Sequence, residues 1–75
     1  MQNEEWNIQL GKNFRELRKS QDMPIMKLAR LTKISRGTIH NIENGKKTYV
    51  QTMSKLADCL GVKVDDIIQG YVEEF

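Results

Sequence analysis

Arg36, Gly37, His40, Asn41 and Asn44 are the residues of this 75-residue chain whose types and spacing could do chemistry. Arginine, histidine and asparagine carry donors that match base edges and phosphate oxygens, and a glycine among them lets the backbone come close to a ligand. They are interleaved with Ile39 and Ile42, which are three apart and claim the opposite side of one short helix. Just upstream, Leu28 and Leu31 mark one face of another short apolar run, and Ala29 is small enough to admit a second helix closely. The break between the two runs, Thr32-Lys33-Ile34-Ser35, leaves room only for a tight turn. The segment therefore reads as a helix-turn-helix, with Ser35 as N-cap of its second helix and Gly45 as its C′ stop. A short helix whose outer face is polar, with a positive charge near its start, has the chemistry needed to enter a DNA major groove.

The other elements must hold that helix in place. Trp6, Leu10, Phe14 and Leu17 form one stripe of an amphipathic first helix that ends near Gln21, after a polar stretch, residues 1–5, expected to fray. Gly11 inside this helix costs roughly 1 kcal/mol relative to alanine, which points to close packing. Asp22-Met23-Pro24 ends the pattern, and Pro24 suits the first position of a second helix running to Thr32. After the third helix, Lys46-Lys47-Thr48-Tyr49-Val50-Gln51 reads as a loop offering cations and donors to phosphate, or as an ordinary exposed connection. Thr52 is the expected cap of a fourth helix with the stripe Met53, Leu56, Ala57 and Leu60, stopping at Gly61. Val62 and Val64 lead into a short fifth helix that ends at Gly70, with Asp65 and Asp66 in its first turn where the helix dipole favours them. Nothing reads as a strand, so the expected fold is all-α, a compact bundle of five helices in a single domain over residues 1–75, with a core at about 8–69 and a tail at 71–75.

Charge is sorted along the chain. Between Lys12 and Lys55 there are eleven Lys or Arg against three acids, a balance of +8, whereas residues 1–11 carry −2 and residues 56–75 carry −4. Such sorting draws a polyanion to one face. One cysteine, Cys59, allows no internal disulfide, and with His40 as the single histidine it cannot build a structural zinc site. These features suit a reducing cytoplasm, no cofactor or metal is expected, and no apolar run approaches the roughly 20 residues of a membrane span. No catalytic constellation can be assembled either, since His40 lies on the outer face of the third helix and adjacent Asp65 and Asp66 diverge around theirs.

The chain resembles the phage-repressor and Cro family of helix-turn-helix proteins, also called the xenobiotic-response-element family. The resemblance spans roughly residues 8 to 69 and is carried by Leu10-Gly11-Lys12, Phe14-Arg15-Glu16-Leu17-Arg18, Leu28-Ala29, Ser35-Arg36-Gly37-Thr38-Ile39, Ile42-Glu43-Asn44-Gly45-Lys46, Leu56-Ala57 and Leu60-Gly61-Val62. It implies that the third helix is a recognition helix, with Arg36, Gly37, His40 and Asn41 at base edges and Ser35, Thr38, Lys46, Lys47 and Tyr49 at phosphates. It also implies a partly buried, bidentate structural salt bridge between Arg18 and Glu43. The chain departs from the family pattern in two places: Pro24 and Ile25 stand where a polar pair commonly opens the second helix, and Lys33 stands where the turn usually has glycine.

Together these readings lead to a sequence-specific regulator of transcription, a repressor by expectation, whose partner is double-stranded DNA carrying a palindromic operator. A homodimer is expected, because one recognition helix reads too few base pairs to select a site. Its interface is expected at Ile68, Tyr71, Val72 and Phe75, apolar groups at or beyond the edge of the five-helix core. The alternative is a protein-interaction module of the same fold, an antitoxin or anti-repressor, with another protein as its main partner.

Overall fold

The computed structural model describes residues 4–72, with side chains described through Ile68. Five helices follow one another: α1 (Glu4–Ser20), α2 (Ile25–Thr32), α3 (Arg36–Glu43), α4 (Val50–Cys59) and α5 (Val64–Val72). Among the described residues there is no strand. The fold is thus the expected all-α bundle of five helices. Their apolar stripes meet in one cluster: Leu10 and Phe14 of α1, Leu28 of α2, Ile39 and Ile42 of α3, Met53, Leu56 and Ala57 of α4, then Leu60 and Ile67. Each large side chain fully buried in such a cluster contributes about 1.5 to 3 kcal/mol.

Helix ends follow from local chemistry. At the end of α1, Asp22 takes a left-handed conformation (φ 54°), and the N–H groups of Asp22 and Met23 donate to the carbonyls of Lys19 and Arg18. The same pair of bonds closes α3 at Gly45 (φ 90°), from Gly45 to Ile42 and from Lys46 to Asn41. It closes α4 at Gly61 (φ 76°), from Gly61 to Asp58 and from Val62 to Ala57. In all three places a left-handed residue after the helix lets the next amides satisfy carbonyls that the helix leaves open. At the start of α5 the Asp66 carboxylate accepts from the Lys63 N–H at 3.0 Å, one arm of a capping box.

Several boundaries and burials differ from the sequence reading. Glu4 and Glu5 belong to the first turn of α1, where acidic side chains complement the helix dipole. Pro24 is the N-cap of α2 rather than its first helical residue. Thr52 does not cap α4: the N-cap is Tyr49, three residues earlier and lacking any side-chain bond, after a loop in which Thr48 is buried. Leu31 does not share the buried face with Leu28. Leu28 is fully buried and Leu31 is 54% exposed, since residues three apart diverge by about 60° around a helix and only one edge of α2 meets the core. Gly70 does not end α5, which continues to Val72; the left-handed glycines of the described chain are Gly45 and Gly61.

Close backbone contact seats α3 against α1. A Cβ added to Gly11 would overlap the Ile42 carbonyl oxygen and lie 3.1 Å from that of Glu43, so only glycine permits this approach of the two helices. Polar side chains tie α1 and the turn after it to the later elements: Asn13 donates to the Ile67 carbonyl at 2.9 Å and Gln21 to the Leu60 carbonyl at 2.7 Å.

Candidate nucleic-acid interface

The turn between α2 and α3 sets the orientation of everything after it. Lys33 adopts φ 61° and ψ 27°, and its N–H donates to the Ala29 carbonyl at 2.8 Å. The Thr32 hydroxyl donates to the Leu28 carbonyl at 2.7 Å and accepts the Ile34 N–H at 3.3 Å, so both sides of the left-handed residue are tied down. Ser35 then caps α3: its Oγ accepts the Thr38 N–H at 3.2 Å and donates to the Thr38 hydroxyl at 2.9 Å. These two hydroxyls, both exposed, are engaged with one another at the start of the helix.

Along its inner side α3 is fixed by Ile39 and Ile42, which are fully or nearly fully buried. Its end is fixed by charge. Arg18 donates from Nε to Glu43 Oε2 at 2.6 Å and from Nη2 to Oε1 at 3.2 Å, while its Nη1 donates to the Met23 carbonyl at 2.8 Å. Both side chains are about nine-tenths buried, with 10% and 6% exposure. One guanidinium thereby joins α1, the connection to α2 and the end of α3, and the planar fork of arginine is what allows it.

The outer side of the same helix carries Arg36, Gly37, His40, Asn41 and Asn44, all exposed. Arg36, His40 and Asn44 are four apart and form one ridge, with Gly37 and Asn41 on the next. Gly37 is not demanded by packing, because a Cβ there would meet nothing closer than Ser35 Oγ at 4.0 Å. Its effect is to keep the outer surface low between two donors. Lys46 and Lys47 are exposed just past the helix, and Tyr49 is 71% exposed. Thr48 between them is buried.

Of the residues expected at a dimer interface, Ile68 is half-buried against the core and lines a small apolar crevice with Trp6, Tyr49, Val50 and Val64. Tyr71 and Val72 lie in the last turn of α5, where only the backbone is described, and Phe75 lies outside the described residues.

Two groups of residues escaped the sequence reading. Arg15 sits with its Nε 4.0 Å from Glu43 Oε1, beside a cleft of about 180 Å³ shared with His40 and Asn44. Its position three residues before Arg18 was the available signal, since that spacing puts both on one side of α1. At the other end of α3, Lys27, Arg30, Lys33 and Arg36 line an open groove of about 720 Å³ together with Met26, Ala29 and Ile34. Among the described residues there is no cluster of three or more His, Cys, Asp or Glu that could hold a metal ion, and no helix is long and apolar enough to cross a membrane.

A pair of short helices joined by a left-handed turn, the second anchored inside and polar outside, defines a helix-turn-helix protein. A family model described as a helix-turn-helix domain matches residues 11–73, and the chain belongs to that family. Its general class is that of DNA-binding regulators. Comparison with curated proteins and with solved structures returns no match.

Proposed function

We propose that this chain is a single-domain, sequence-specific regulator of transcription of the phage-repressor and Cro type, acting as a repressor in the cytoplasm by occupying a double-stranded DNA operator. The observation that carries this reading is the division of α3 into a side fixed by Ile39, Ile42 and Glu43 and a side of exposed hydrogen-bonding groups. A helix held this rigidly presents its donors in a fixed geometry, which base readout requires. In this reading Arg36 pairs with guanine through two bonds and Asn41 with adenine, while Gly37 admits a thymine methyl and His40 reaches a base or phosphate. Lys46, Lys47 and Tyr49, with the hydroxyls of Ser35 and Thr38, contact phosphates and fix register without reading sequence.

A palindromic operator is expected, bound by a homodimer whose two α3 helices lie one DNA turn apart, about 34 Å. Selection of bound sequences from random duplex DNA tests the proposal directly. Enrichment of an inverted repeat with half-sites one turn apart supports it, and failure to enrich any motif rejects it.

The groove at the start of α2 and α3 favours a second reading, a protein-interaction module with an acidic partner. Its cations would suit DNA phosphates, but Met26, 67% exposed in the same lining, gains nothing from them. Salt dependence of binding to a mixed DNA pool separates the two. A DNA reader loses affinity steeply as salt rises, and a pure protein-binding module gives no shift at any salt concentration.

A further inference from the structure

The cleft between α1 and the end of α3 holds more positive charge than its own acid can neutralise. Glu43 offers one carboxylate, and Arg18 takes both of its oxygens. Arg15, at 4.0 Å, is an ion-pair neighbour beyond hydrogen-bonding distance, and its side chain is 57% exposed. Two guanidinium groups therefore face one carboxylate, leaving a net charge of about +1 at the mouth of the cleft. The remaining walls are His40, Asn44 and Ile25. Ile25 brings no polar atom that could compete, whereas His40 and Asn44 are exposed and able to donate.

The cleft also lies at one end of the ridge formed by Arg36, His40 and Asn44. A polyanion lying along α3 with its base-reading edge at Arg36 would pass a charged oxygen over this mouth. A phosphodiester fits: it carries one negative charge, accepts hydrogen bonds from several directions, and needs no donor of its own.

We propose that this cleft is a phosphate-binding site, with Arg15 as its cation and His40 and Asn44 as its further hydrogen-bond donors, and that it clamps the DNA backbone beside α3. The inference rests on the DNA-binding reading above. It assigns to Arg18 and Arg15 different work despite their common side of α1: Arg18 is committed to the fold, and Arg15 is held close to Glu43 yet free to turn outward.

The test uses the full chain and the duplex obtained from the random-DNA selection, with single phosphates along it replaced in turn by neutral methylphosphonate. Wild-type protein should lose on the order of tenfold in affinity at one or two adjacent positions, the size expected of a charged hydrogen bond. Arg15→Met should bind the unmodified duplex on the order of tenfold more weakly, lower the salt slope by about one unit, and be indifferent to the substitution at those same positions. Its melting temperature should match the wild type, because Arg18 still holds Glu43, and Arg15→Lys should restore part of the affinity. If wild type binds the duplex but Arg15→Met shows the same salt slope and the same methylphosphonate profile, the phosphate site is wrong while the DNA-binding reading stands. If wild type binds no duplex, the DNA-binding reading itself fails and takes this site with it.

Discussion

Arg18 and Glu43, drawn from α1 and the last turn of α3, form a two-bond ion pair in which neither side chain exposes more than 10% of its surface. Pairs this deeply buried gain little over an apolar replacement but are costly to break, because the surviving charge is left without a partner. Arg18→Met and Glu43→Leu should each destabilise the chain by roughly 3 to 5 kcal/mol, with the double substitution costing clearly less than their sum. Thermal melts of the three variants check this; single variants that melt with the wild type would show the pair to be worth no more than a surface contact.

Gly11 is the second contact that sets the distance between α1 and α3. Alanine there gains about 1 kcal/mol of helix propensity but meets the Ile42 carbonyl, a backbone atom that cannot rotate aside. Overpacking of this kind costs about 1 to 3 kcal/mol, and the net effect of Gly11→Ala should be a lower melting temperature with weaker DNA binding as α3 is displaced. A melting temperature equal to or above the wild type would show that the helices can separate freely.

Lys33 is in the left-handed region (φ 61°), a conformation that favours glycine. For an L-residue this conformation costs roughly 1 to 2 kcal/mol, partly offset in any glycine replacement by the greater freedom of glycine in the unfolded chain. Lys33→Gly should therefore stabilise the chain by up to about 1 kcal/mol, read as a raised denaturation midpoint with unchanged slope. A loss of stability would mean that the lysine stem contributes packing along the α2 groove.

Base reading and backbone clamping separate by their salt behaviour. Arg36→Ala should relax preference at one base pair and cost about 1 to 3 kcal/mol on the selected operator, while Lys47→Ala should weaken all sequences alike and reduce the salt slope by about one unit. Specificity profiles from random-DNA selection with each variant decide the matter. Identical profiles for wild type and Arg36→Ala would remove Arg36 from the base-reading set.

The homodimer is expected to be built at the end of α5 and the residues after it. Sedimentation of the full chain at tens of micromolar should give a dimer, and a chain ending at Gly70, which lacks Tyr71, Val72 and Phe75, should be largely monomeric. A monomeric full chain rejects the dimer, and equal dimerisation of the shortened chain moves the interface elsewhere, with the crevice of Trp6, Tyr49, Val50 and Ile68 next in line.

Much of the fold was legible from the residues alone, because its signals act within one or two turns of chain. Apolar spacing gave the helices and most of the core; Ser35, Gly45 and Gly61 marked ends whose hydrogen bonds close over three to six residues. The outer residues of α3 were legible for the same reason: with Ile39 and Ile42 turned inward, Arg36, Gly37, His40, Asn41 and Asn44 have only the outer side left. What the sequence could not decide is whatever depends on a neighbour from a distant segment. Leu31 has the residue type and spacing of a core position, yet it is 54% exposed and only borders α4, beside Lys55, Asp58 and Cys59. Thr48 is a loop threonine until the packing around it buries it, just before α4 begins at Val50. Gly11 announced a close approach without naming Ile42 as the group approached. Arg15 and Arg18 are two like charges on one side of a helix, and only the arrival of Glu43 from α3 divides them, one buried against the carboxylate and one left facing solvent beside His40 and Asn44. Local propensity places side chains around a helix axis, whereas burial and charge pairing depend on which other axis comes alongside, and that is settled by the packing of the whole chain.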